Sequence, residues 1–166
     1  MSRVQGFPPI ADTGARVLIL GSMPGLASLR AGEYYANPRN AFWPIMGALI
    51  GAAPALPYAE RVALLRAHGV ALWDVLASCE RSGSLDAGIE PDSIIANDFA
   101  AFFRIHAAIR RIYFNGAAAE RSFRRYVLPG LAPLVLPRHR LPSTSPAHAA
   151  MSFERKLAAW RAIDLV

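Results

Sequence analysis

The 166-residue sequence contains one cysteine, Cys79, and one lysine, Lys156. A lone thiol cannot close an internal disulfide, complete a four-cysteine zinc site or ligate an iron–sulfur cluster, so these frameworks are excluded together. It also suits the reducing cytoplasm. No apolar run approaches the ~18 residues of a membrane span. Pro8 and Pro9 fall where a signal peptide would carry its unbroken apolar core. A soluble, cytoplasmic protein with no membrane partner is therefore expected. Repeats, low-complexity tracts and long linkers are also missing, so a single domain over residues 1–166 is expected.

Charge is sparse, at 18% of residues against 54% hydrophobic, which is a globular balance rather than a disordered one. A chain of this length buries about 68–70% of its unfolded surface, enough for a core without staples. All but one of the 18 basic side chains are arginine, and the net charge is +6. The planar guanidinium suits bidentate contacts to phosphates, so an anionic partner is indicated. A GC-rich genome that writes arginine for lysine explains the same bias equally well.

Ala15–Leu20 is a continuous apolar run ended by Gly21, which reads as a strand buried on both faces. Val70–Trp73, Arg110–Phe114 and Leu131–Leu136 read as three more strands. Helices are expected over Ala41–Ile50, Tyr58–Ala67, from an Asn97 cap through His106, from Gly116 through Val127, and over Met151–Ile163. Strands alternating with helices predict an α/β fold: a three-layer α/β/α sandwich around a four-stranded parallel sheet. Ligands of such sheets bind beyond the carboxyl ends of the strands. The loops after Leu20, Trp73, Phe114 and Leu136 are therefore where function is sought.

Gly21-Ser22-Met23-Pro24-Gly25 follows the first strand and is neither a P-loop nor a dinucleotide fingerprint. Next comes Glu33-Tyr34-Tyr35-Ala36-Asn37-Pro38-Arg39-Asn40-Ala41-Phe42-Trp43, whose density of rings and amides fits a loop facing a ligand. Phe42 and Trp43 are also accounted for as the start of a helix core face. Asp74 closes the second strand, either as a ligand contact or as a helix N-cap. Asn115-Gly116 reads as a turn and cap. Pro137 to His148 sets the hydroxyls Ser143, Thr144 and Ser145 behind Arg138 and Arg140, a composition suited to phosphates.

His68, His106, His139 and His148 show no paired ligand spacing, so no metal and no cofactor is expected. Neither Ser22 nor Ser143 sits in a G-x-S-x-G elbow, which disfavours a serine hydrolase.

In order, GSMPG, EYYANPRNAFW, GVALWDV, FNGAAAE and LPSTSPA resemble the motifs of the uracil-DNA glycosylase superfamily, most closely its hypoxanthine-DNA (deoxyinosine) glycosylase branch. The resemblance spans Gly21 to Ala147 and implies base flipping from DNA and hydrolysis of the N-glycosidic bond to a deaminated base, a step of base excision repair. It implies Asn40 as the holder of the attacking water, because Met23 fills the place where many relatives carry an aspartate or asparagine. Ser22 is grouped with Asn40 as catalytic. Tyr35 is implied as the ring that stacks on the flipped base and Asp74 as the reader of its polar edge, with Met23 and Phe42 completing the base pocket. An ionised Asp74 would accept from the ring N–H that deamination creates.

Arg39, Arg138, Arg140, Ser143, Thr144 and Ser145 are implied as DNA contacts. Asn37 and Leu141 depart from the usual histidine and the usual histidine or asparagine at their positions. The implied partner is double-stranded DNA containing a deaminated base, bound by a monomer. Lys156 falls in the last predicted helix, away from these loops, so a monofunctional hydrolase rather than a lysine lyase is expected. The alternatives are a uracil-preferring enzyme and a DNA- or RNA-binding module that has lost catalysis.

Overall fold

The computed structural model describes residues 2–165. Strand β1 is Ser2–Gln5 and β2 is Val17–Gly21; helices α1 (Leu26–Ala31), α2 (Phe42–Ile50) and α3 (Tyr58–Ala67) follow, then β3 (Val70–Asp74). The remainder runs β4 (Leu76–Arg81), β5 (Ile95–Ala96), α4 (Phe99–Ile105), β6 (Arg111–Asn115), α5 (Ala117–Ser122), β7 (Arg138–Leu141) and α6 (Phe153–Trp160).

A four-stranded sheet in the order β3-β2-β6-β7 is parallel throughout. Its central strand β2 is buried on both faces, as the unbroken run VLIL requires. Side chains alternate across it. Leu18 and Leu20 join Trp73, Phe114, Phe99, Phe102 and Phe123, so α4, α5 and the π turn Phe123–Val127 cover one face. Val17 and Ile19 join Leu72, Tyr113, Phe42, Leu65 and Trp160, so α2, α3 and α6 cover the other. The expected three-layer sandwich is present, and each of these apolar side chains contributes about 1.5–3 kcal/mol of burial.

Three expectations need correction. Leu131–Leu136 is not the fourth strand: Pro133 breaks its ladder potential, Val135 is 91% exposed, and the edge position beside β6 is taken by basic β7 instead. Asp74 caps no helix, because the chain passes through Val75 directly into β4 of a second, antiparallel sheet ordered β1-β4-β5. Nor does Asn97 cap α4. Asp98 does, accepting from Ala101 N at 3.0 Å, while Asn97 Nδ2 donates to the Asp74 carbonyl at 2.7 Å.

Candidate active site

The carboxyl ends of β2, β3 and β6 open into a cleft of about 710 Å³. Its first wall is the Gly21–Gly25 turn. A Cβ on Gly21 would lie 2.5 Å from Asp74 Oδ1 and 2.8 Å from the Tyr35 hydroxyl, so only glycine lets these two groups meet over the strand end.

Asp74, at the tip of β3, is 4% exposed, and its Oδ2 has no hydrogen-bond partner. Burial, reinforced by the charge of Asp86 and opposed by that of Arg81, pushes its carboxyl from the ordinary 3.8 up to about 7. The expectation of a permanently ionised acceptor is thereby corrected. Near neutral pH the group holds a proton in a large fraction of molecules and can donate as well as accept.

Tyr35 adopts the left-handed backbone, φ 54°, which is uncommon for a residue with a side chain. One face of its ring stacks on Phe42 with centroids 4.2 Å apart and planes 21° from parallel. Its hydroxyl is buried without a partner, and desolvation, with Asp74 second, pushes its pKa above the usual tyrosine range. Phe42 is 0% exposed and touches Tyr35, Trp43 and Trp160. It therefore lies behind the Tyr35 ring in the core and outside the cleft lining, which corrects its placement in direct contact with a base. Met23, 8% exposed, reaches the cleft from the opposite hydrophobic cluster.

Asn40 lines the cleft, and its Oδ1 accepts from Phe42 N at 2.9 Å, which fixes the amide at the start of α2. Asn37 Oδ1 does the same for Arg39 N at 2.9 Å, and Arg39 stands exposed on the rim. Ser22 Oγ donates to Asp86 Oδ1 at 2.6 Å.

The second loop is bolted to the sheet. Asn115 Nδ2 donates to Thr144 Oγ1 and Thr144 N donates to Asn115 Oδ1, both at 2.9 Å, and Ala41 N donates to the Thr144 carbonyl at 3.0 Å. Asn115 is thus more than a turn residue. Thr144 is 1% exposed, so its hydroxyl anchors the loop and does not face a phosphate, contrary to expectation. Ser143 and Ser145 remain on the lining, each folding a local turn: Ser143 Oγ accepts from Ser145 N at 3.2 Å and Ser145 Oγ from Ala147 N at 3.1 Å.

Arg138 and Arg140 lie on exposed β7, outside the cleft lining, because the strand begins where a loop was expected. Arg140 pairs with Glu120 at 3.7 Å. Lys156 is closer to the site than its place in the last helix suggested. Helix α6 starts right behind the loop at its Ser152 cap, and the buried amine donates to the Ser145 carbonyl at 3.5 Å without joining the lining. Desolvation lowers its pKa.

Sequence reasoning missed the third wall, Ser84-Leu85-Asp86, which follows β4. A Gly/Ser-rich stretch with one acid carries no pattern, and β4 itself was not foreseen. Among the described residues no cluster of three or more histidine, cysteine or acidic side chains is arranged to hold a metal, and no helix is long and apolar enough to cross a membrane.

The fold is a three-layer α/β/α sandwich with a cleft at the carboxyl edge of its sheet. The chain belongs to the uracil DNA glycosylase superfamily, whose family model matches residues 8–164. It is 34% identical over 160 residues to the hypoxanthine DNA glycosylase of Methanosarcina acetivorans, covering 96% of each chain. To the Methanosarcina barkeri protein of the same name it is 36% identical over 113 residues, covering 68% of this chain and 70% of that one. A solution NMR structure from M. acetivorans, described as a candidate uracil DNA glycosylase, superimposes with a TM-score of 0.80 at 33% identity, covering 98% of this chain and 96% of the other.

Proposed function

We propose that this DNA glycosylase excises hypoxanthine, and secondarily uracil, from double-stranded DNA, hydrolysing the N-glycosidic bond to leave an abasic site. The observation that carries the reading is the buried carboxyl oxygen without a partner at the cleft floor, Asp74 Oδ2. Buried polar groups without partners cost stability, and a ligand edge with N–H beside C=O relieves that cost. Deamination creates that edge in both hypoxanthine and uracil. A protonated Asp74 matches it by donating to the C=O and accepting from the N–H. The names of the two Methanosarcina relatives favour hypoxanthine first.

A base in the duplex reaches this floor only by flipping, at a cost of a few kcal/mol. The Tyr35 face turned away from Phe42 receives it, and such stacking is worth about 1–3 kcal/mol. Arg39 and the hydroxyls of Ser143 and Ser145, all on the cleft lining, hold the flanking phosphates, and Asn40 orients the water. The enzyme works as a cytoplasmic monomer.

Single-turnover excision by Asp74→Leu and Asp74→Asn tests the reading. The leucine variant is expected to lose most activity, because the base edge is left unpaired, and the asparagine variant to keep part of it through its own donor and acceptor. Full activity in the leucine variant contradicts the assignment.

A further inference from the structure

The hydrolysis just described, on which this inference rests, leaves one proton without a destination. As the water oxygen bonds to C1′ of the sugar and the C1′–N9 bond breaks, the electron pair leaves with the base and the attacking water must shed a proton. An amide is a poor acceptor of that proton. Asn40 can orient the water, and its Oδ1 is already engaged by Phe42 N. The cleft lining holds two carboxylates, Asp74 on the floor and Asp86 on the third wall.

We propose that Asp86, held by Ser22, is the general base that takes the proton from the attacking water. The wall that carries it is pinned at three points. Arg81 Nε donates to the Gly83 carbonyl at 2.8 Å, Leu26 N donates to Ser84 Oγ at 2.9 Å, and Ser22 Oγ donates to Asp86 Oδ1 at 2.6 Å. Ser22 adjoins Gly21, the residue over which Asp74 and Tyr35 converge. The Ser22 bond leaves Asp86 Oδ2 free for a water. Asp86 lies on the lining of the same cleft as Asp74, Tyr35 and Asn40.

Two carboxyl groups in different surroundings then divide the work, Asp74 buried at the floor and Asp86 accessible on the wall. Protons balance: Asp86 gains the one shed by water, and the base departs as an anion that takes its proton from solvent. The negative charge of Asp86 also favours the cationic sugar that develops as the bond breaks. Ser22, grouped with the catalytic residues from the sequence, acquires a definite task as the positioning residue for Asp86.

The test is single-turnover excision from a hypoxanthine duplex by the full chain, alongside the Kd for a non-hydrolysable 2′-fluoro duplex and the Tm of each variant. Positioned general bases contribute about 10²–10⁴-fold. Asp86→Asn should therefore lose about 100-fold or more in excision rate, with Kd within threefold and Tm nearly unchanged. Ser22→Ala should lose about tenfold, as removal of a hydrogen bond to a charged group implies. Formate should restore part of the rate to Asp86→Ala and none to Asp86→Asn, an effect that a merely structural role does not produce. Asp86→Asn at the wild-type rate overturns the proposal, as does a loss of DNA binding equal to the loss of rate. So does a 100-fold loss in His148→Gln with none in Asp86→Asn, which moves the base to the imidazole at the far end of the second loop. A wild-type chain that excises neither hypoxanthine nor uracil overturns the glycosylase reading itself, a result separate from the behaviour of the variants.

Discussion

Asn115 and Thr144 exchange two hydrogen bonds of 2.9 Å, side chain to hydroxyl and backbone to side chain, across the gap between β6 and the second loop. That double bond sets where the Ser143–Ala147 segment stands relative to the floor of the cleft. Asn115→Ala leaves two buried Thr144 groups unpaired and should destabilise the fold by about 1–3 kcal/mol. For a domain of this size the fall in Tm is about 2–4 °C per kcal/mol. DNA affinity should fall with it. Calorimetry and a binding titration check both, and unchanged affinity would detach the loop from DNA contact.

Asp74 makes stability pH-dependent with a definite sign. Its folded-state pKa, about 7, lies above the ordinary 3.8, so the folded chain keeps a proton that the unfolded chain releases between those values. Stability from this group is full below about pH 4 and is lost as pH rises through 7. Asp74→Asn cannot ionise and should not share the decline. Urea midpoints at pH 5 and pH 8 are expected to fall further for wild type than for the variant. Parallel behaviour would mean that the carboxyl titrates normally.

Tyr35→Phe deletes a hydroxyl that is buried without a partner, so the free protein should be as stable as wild type or slightly more so. Stacking on Phe42 and on a flipped base needs only the ring. Tyr35→Ala should weaken capture of the base. Fluorescence of 2-aminopurine beside the target reports flipping, and an alanine variant that flips normally would remove Tyr35 from the platform.

Arg39 and Arg140 should behave differently in salt. Removing one charged partner of a DNA phosphate lowers the slope of log K against log salt by about 0.9. Arg39→Ala, on the cleft rim, is expected to show that change. Arg140→Ala, on β7 and paired with Glu120, is expected to show little. Equal slopes in the two variants would extend the DNA footprint over β7.

Strands β2 and β3 were legible because burial on both faces writes itself as continuous apolar sequence, as in Val17–Leu20 and Val70–Trp73. Strand β7 was not, because an exposed edge strand carries arginines and a histidine while the apolar stretch before it is broken by proline. Antiparallel β1, β4 and β5 lack a two-sided run. Asp74 stood out as an acid at the end of an apolar strand, and its raised pKa could come only from burial that the three-dimensional neighbours create. Asp86 left no trace in local pattern, since its meaning lies in a contact with Ser22, 64 residues away.

The most direct measurement of the central claim is release of free hypoxanthine from a deoxyinosine-containing duplex by the wild-type chain under single-turnover conditions in EDTA, beside the matching deoxyadenosine duplex. The expected result is release from the first duplex only, with a strand that stays intact until alkali cleaves the abasic site. No release, equal release from both duplexes, or a requirement for a divalent metal would contradict the account.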